Sequence, residues 1–128
     1  DQFKSSSKCA SVCCLELQNT QCPGVIIDNT NPNQVSRAKF VAFGKEYGCH
    51  ITVIWVKTDR HMSYHLNLSR CQQSRGMCSA VPSVVYNMYQ NRISAPDGPP
   101  DSVSEGFDVL LTYTPQIYYI NREMKMYY

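Results

Sequence analysis

The chain has 128 residues, a length that suits one domain with one core. Hydrophobic residues make up 43% and charged residues 17%, which excludes a disordered tail, and no apolar run approaches the ~20 residues of a membrane-spanning helix. Twelve basic and ten acidic residues leave a net charge of +2, too balanced to argue for a nucleic-acid or anionic-membrane partner.

In chain order, residues 1–8 are polar and serine-rich, which predicts a frayed start. Residues 9–18 carry the run from Val12 to Leu17 and read as a first strand. Pro23 and Gly24 mark a turn, and Val25, Ile26 and Ile27 form a short β-branched run. Residues 28–33, Asp-Asn-Thr-Asn-Pro-Asn, are rich in cap and turn formers. Asn33 is placed to cap a helix, along which Val35, Ala38, Ala42, Phe43 and Tyr47 recur at helical spacing. Gly48 stands where a left-handed helix end belongs.

Residues 51–58 read as a central strand, apolar on both faces and therefore covered. Met62, Tyr64, Leu66 and Leu68 alternate with Ser63, His65, Asn67 and Ser69, which predicts a second strand and a hairpin. Residues 71–78 read as a polar loop. Ser79 is the expected cap of a second helix, with Pro82 in its first turn, an apolar stripe of Val81, Val84, Val85, Met88 and Tyr89, and an end near Ile93. A Pro/Gly/Asp/Ser connector covers 95–106, long for a compact domain. Val109, Leu111 and Tyr113 alternate as a further strand. A break at Pro115 and Gln116 precedes a strand over 117–120 and a Met- and Tyr-rich tail. The order strand, helix, strand, strand, helix, strand predicts an α+β fold. It has an antiparallel sheet of four or more strands and two helices on one face, as a single domain over 1–128.

Seven cysteines, Cys9, Cys13, Cys14, Cys22, Cys49, Cys71 and Cys78, are far more than an intracellular domain of this size needs. They read as a disulfide framework that staples the fold, and hence as a mark of a secreted, extracellular protein. The start at Asp1 agrees with a mature secreted product. No Cys-x-x-Cys pair occurs, so zinc is disfavoured and no metal or other cofactor is expected. An odd count leaves one cysteine unpaired and open to a disulfide-linked dimer. Asn67-Leu68-Ser69 is a glycosylation sequon, which makes Asn67 a candidate acceptor.

Candidates for chemistry are few. His50, His61 and His65 fall in the expected hairpin, and two histidines straddling a phosphodiester would make a ribonuclease-like toxin, with Arg60 or Arg37 steadying the developing charge. The commoner reading leaves His65 on an exposed face and His61 at a turn. There is no nucleophile elbow, no phosphate-binding glycine loop and no telling pair of carboxylates, so no catalytic residues are assigned and a non-enzymatic role is expected. Asp97 and Asp101 in the long connector, and Tyr118, Tyr119, Tyr127 and Tyr128 in the tail, are candidates for an interaction surface.

The block running from Cys22 and Pro23 through the helix from Asn33 to Tyr47, and on through Gly48, Cys49, His50, Ile51, Thr52 and Val53, resembles small cysteine-rich effectors secreted by plant-pathogenic fungi. It is similar to the Leptosphaeria avirulence-suppressing family. The resemblance implies a helix-covered, disulfide-clamped antiparallel sheet. It also implies a virulence or avirulence role through binding a host protein or an immune receptor, outside the host cell or after entry, without catalysis. An extracellular recognition module of a venom, saliva or reproductive secretion would carry the same features.

Overall fold

The computed structural model describes residues 6–74 and 77–115. Helix α1, Ser6–Gln18, leads to α2, Gln34–Glu46, then strand β1, Thr52–Val56. Helices α3, Arg60–Gln73, and α4, Ser83–Ile93, follow, then the single turn α5, Ser102–Glu105, and strand β2, Val109–Tyr113. β1 and β2 run parallel, in register from Thr52 opposite Val109 to Val56 opposite Tyr113. Among the described residues a two-stranded parallel pair with five helices therefore replaces the expected antiparallel sheet, and the fold implied by the effector resemblance is not found.

The error starts after β1. Asp59 accepts hydrogen bonds from the backbone N–H of His61 at 2.9 Å and Met62 at 3.2 Å, which satisfies two orphan donors and starts a helix where a strand was expected. The alternation over 62–68 does not mark a buried face: Tyr64, Leu66 and Leu68 are exposed, and polar Asn67 is the buried residue. Without a hairpin, the chain returns by a long crossover, and a crossover joins strands in parallel.

The run over 9–18 is also helical. Cys9 and Cys13, four residues apart, share one face of α1, and Ser6, Ser7 and Lys8, expected to fray, form its first turn. α2 forms as its sequence predicts. Asn33 accepts from Ser36 N at 3.2 Å, while Asn33 N donates to Ser36 Oγ at 3.2 Å, a reciprocal cap. Gly48 at φ 66° turns the chain out of the helix. The buried face, however, is Arg37, Val41 and Gly44; Val35 points to solvent. Gly44 lets the Ile51 side chain lie close, within 2.8 Å of where a Cβ would stand.

α4 begins after Pro82, not at Ser79, and no side chain caps it. It packs on α3 through an edge-to-face contact of Tyr64 and Tyr86, 5.8 Å between ring centres, and a bond from Tyr86 Oη to Ser63 O. Its stripe of Val84, Val85 and Met88 is exposed. The 95–106 connector is built structure: Asp101 accepts from Val103 N and Ser104 N to cap α5, and Gly106 at φ 71° ends it. The expected strand over 117–120 lies outside the described residues.

All seven cysteines carry free thiols. The expected disulfide staples are thus absent, and no single odd cysteine stands out as a link to a second chain.

Candidate functional site

In parallel α/β folds the ligand crevice opens beyond the carboxyl ends of the strands, where the loops that follow them gather. Here that edge is closed by Lys57 N donating to Tyr113 O at 2.8 Å, just past the last ladder pair. The chain then runs through Lys57, Thr58, Asp59, Arg60 and His61 into α3. Lys57, Arg60 and His61 are all exposed there. The Lys57 ammonium stands 4.6 Å from the centre of the Trp55 ring, which holds it at the strand end while leaving its charge in solvent. Asp59, the acidic residue among them, is committed to its backbone donors. Those donors, Met62 N first and His61 N after it, hold its carboxyl below the ordinary value of 3.8. The edge therefore presents two permanent cations and an imidazole, a set suited to phosphate oxygens.

Behind it, one buried side chain ties together segments far apart in sequence. Arg37 on α2 donates from Nε and Nη2 to the two carboxylate oxygens of Glu105, at 2.8 and 2.7 Å. Its Nη1 donates to the carbonyls of Asn31 and Gly98, each at 3.0 Å. The loop after Val25, Ile26 and Ile27 is thereby pinned to the 95–106 connector, and Gln34 N adds a bond to Asp97 O at 2.8 Å. Asp28 is exposed at the mouth of that loop.

The histidines do not form one cluster. His50 precedes β1 at the amino end, 3.6 Å from Asp108, and both are exposed. His61 lies beyond the carboxyl end, and β1 between them spans about 17 Å for its five residues. His50 and His61 cannot straddle one phosphodiester, so His50 does not join the other two histidines in one site. His61 and His65, one helical turn apart, are the pair that shares a face.

Asp101 and Asp97 are both exposed; the Asp101 carboxylate caps α5, and the Asp97 backbone carbonyl accepts from Gln34 N. Tyr118, Tyr119, Tyr127 and Tyr128 lie outside the described residues. Asn67 is buried within α3. It donates to Val81 O and accepts from Val81 N, both at 3.1 Å, which clasps α3 to the approach to α4. A glycan on that amide requires this clasp to open. Cys13 is buried where α1 meets α2. Burial, and then the neighbouring thiols Cys9, Cys14 and Cys49, push its thiol up, so it is a poor nucleophile. Cys14 instead meets the Tyr47 hydroxyl at 3.4 Å. Among the described residues no three His, Cys, Asp or Glu side chains converge as metal ligands.

The capping carboxylates yield a pH prediction. Asp101 is held low as Asp59 is, chiefly by Ser104. A carboxyl whose folded value is depressed adds stability above its unfolded value, near 3.8, and loses it as pH falls through the folded value. Melting curves between pH 2.5 and 6 should show Tm falling below about pH 4. In the Asp59→Asn, Asp101→Asn double variant, whose caps do not titrate, the fall should be shallower.

No family model matches the chain. It is 32% identical over 127 residues to a protein of Acanthamoeba polyphaga mimivirus that is provisionally named a bifunctional polynucleotide phosphatase/kinase. That match takes in 97% of this chain and 27% of the viral protein. It is 27% identical over 107 residues to the bifunctional polynucleotide phosphatase/kinase of Schizosaccharomyces pombe, which takes in 84% of this chain and 24% of that protein. The chain thus spans about a quarter of the length of the curated relatives it matches. These likenesses overturn the expectation of a non-enzymatic secreted effector whose partner is a host protein, and with it the expectation of no nucleic-acid partner: the proteins this chain is similar to are named as enzymes of polynucleotides.

Proposed function

We propose that this chain is one section of an enzyme that adds phosphoryl groups to polynucleotide ends or removes them, and that its cationic carboxyl edge holds the polynucleotide. The observation that carries the reading is the collinear similarity over 97% of the chain to a protein named for those activities. The geometry supports it. Phosphoryl transfer is largely a matter of positioning and of fixed positive charge around phosphate oxygens. Lys57 and Arg60 supply such charge at the edge where parallel α/β folds bind ligands. No Gly-x-x-x-x-Gly-Lys-Ser/Thr pattern occurs in these 128 residues.

The test uses the natural polypeptide that carries this sequence. It should transfer phosphate from ATP to hydroxyl termini of oligonucleotides, or release phosphate from phosphorylated termini. Neither activity, with no oligonucleotide binding, sinks the reading. Binding is followed by the fluorescence anisotropy of an end-labelled oligonucleotide. The Lys57→Glu, Arg60→Glu double variant should bind a single-stranded oligonucleotide at least tenfold more weakly at low salt. The slope of log affinity against log salt should flatten by roughly 1.4, two phosphate contacts at ~0.7 each. An unchanged slope places the polynucleotide elsewhere.

A further inference from the structure

Among the described residues no helix covers one face of the β1–β2 pair. Its register sets Ile54 beside Leu111 and Val56 beside Tyr113, and along each strand these residues are two apart, so all four project to the same side. They are 64%, 50%, 51% and 58% exposed. Parallel strands occur with both faces covered, because their crossovers bring helices onto the sheet. Among the described residues the crossover does not do so to any great extent: α3 and α4 pack on each other, α2 packs on α1 and α5, and the principal contact of each strand is the other strand.

We propose that this face is a docking surface for an amphipathic helix of the same polypeptide, lying beyond these 128 residues. The proposal rests on the reading of the chain as one section of a longer enzyme. Two observations favour that occupant over a second copy of the chain. The patch is four side chains wide, far short of the ~800 Å² per partner that a stable interface between separate molecules buries, yet ample for a helix already tethered to the sheet. The relatives are about four times as long as the stretch this chain matches, so chain enough for such a helix exists in them.

The test compares the isolated 128-residue chain with the natural polypeptide, neither carrying a substitution. Carbene footprinting should label Ile54 and Leu111 readily in the isolated chain, and at least fivefold less in the natural polypeptide. Equal labelling in the two overturns the proposal. Protection in the isolated chain that grows with concentration, with a dimer in sedimentation, overturns it in favour of a second copy. The Leu111→Lys variant supplies an independent reading. Its Tm should match the parent's in the isolated chain and fall by at least 8 °C in the natural polypeptide; equal shifts in both count against the helix. Footprints and melts need no activity, so a failure here stays distinct from failure of the enzymatic reading.

Discussion

Replacing Arg37 by Met should cost about 3–5 kcal/mol of stability, the largest loss expected of any single side chain in this structure. The Arg37 and Glu105 side chains are 8% and 3% exposed, and their two bonds form a fork that fixes both partners. Met fills similar volume but leaves the Glu105 carboxylate buried without its counter-charge. It also strips the Asn31 and Gly98 carbonyls of a donor. Lysine keeps the charge without the fork, so Arg37→Lys should lose a smaller part, roughly 2 kcal/mol. The Arg37→Met, Glu105→Leu double variant should recover part of the loss, because removing both charges removes the uncompensated one. Urea denaturation of the parent, Arg37→Met, Glu105→Leu and the double variant gives the cycle. Additive losses would show that the two side chains do not act as a pair. Among the described residues the buried apolar set is only Cys13, Val41 and Phe107, so a loss of this size is expected to reach the whole fold.

The pair also shows what could be read from sequence. α2 was legible because its signals are local: Asn33 and Ser36 cap each other three residues apart, and Gly48 ends the helix. β1 and β2 were legible as short β-branched and alternating runs, Thr52–Val56 and Val109–Tyr113. Their direction was not, because it depends on what lies between them. The two-residue alternation over 62–68 predicts a half-buried strand, whereas Asp59 supplies a helix cap and Asn67, not Leu66 or Leu68, turns inward. One misread helix converted a crossover into a hairpin and a parallel pair into an antiparallel one. Cysteine number is a weak guide for the same reason: Cys9 and Cys13 sit at helical spacing, a packing pattern that a count of thiols does not reveal.

The candidate site was harder still. Lys57 and Arg60 become a site only once β1 is known to be parallel, since that fixes which end of the strand faces a ligand. Net charge hid them: +2 over the chain says nothing about two cations at one strand end. Arg37 and Glu105 are 68 residues apart, and no local pattern announces that they meet. A usable signal did exist in residues 28–33, a loop of cap and turn formers between a β-branched run and a helix. That is the layout of a strand-to-helix turn in parallel α/β folds, where ligand sites gather.

Gly98→Ala should be the second most damaging change, about 3 kcal/mol, at the top of the range for overpacking. Gly98 is buried, and a Cβ there falls against the backbone carbonyls of Arg92 and Ile93 at the end of α4. Backbone cannot swing aside as a side chain can, so the loop itself must move. Moving it draws the Gly98 carbonyl away from Arg37 Nη1, its donor at 3.0 Å, and loosens the connector that Gln34 and Arg37 hold against α2. Two other glycines calibrate the effect. At Gly44 a Cβ meets the end of the Ile51 side chain at 2.7 Å, which can rotate, so Gly44→Ala should cost less. At Gly24 nothing lies within 4 Å, and Gly24→Ala should be neutral or raise stability by up to about 1 kcal/mol through the unfolded chain. Urea midpoints should therefore fall in the order Gly24→Ala, Gly44→Ala, Gly98→Ala. Because Gly98 and Arg37 share a bond, Gly98→Ala combined with Arg37→Met should cost less than the sum of the two. Full additivity would mean that the loop shifts without disturbing the arginine, and that the hub tolerates movement of the connector it holds.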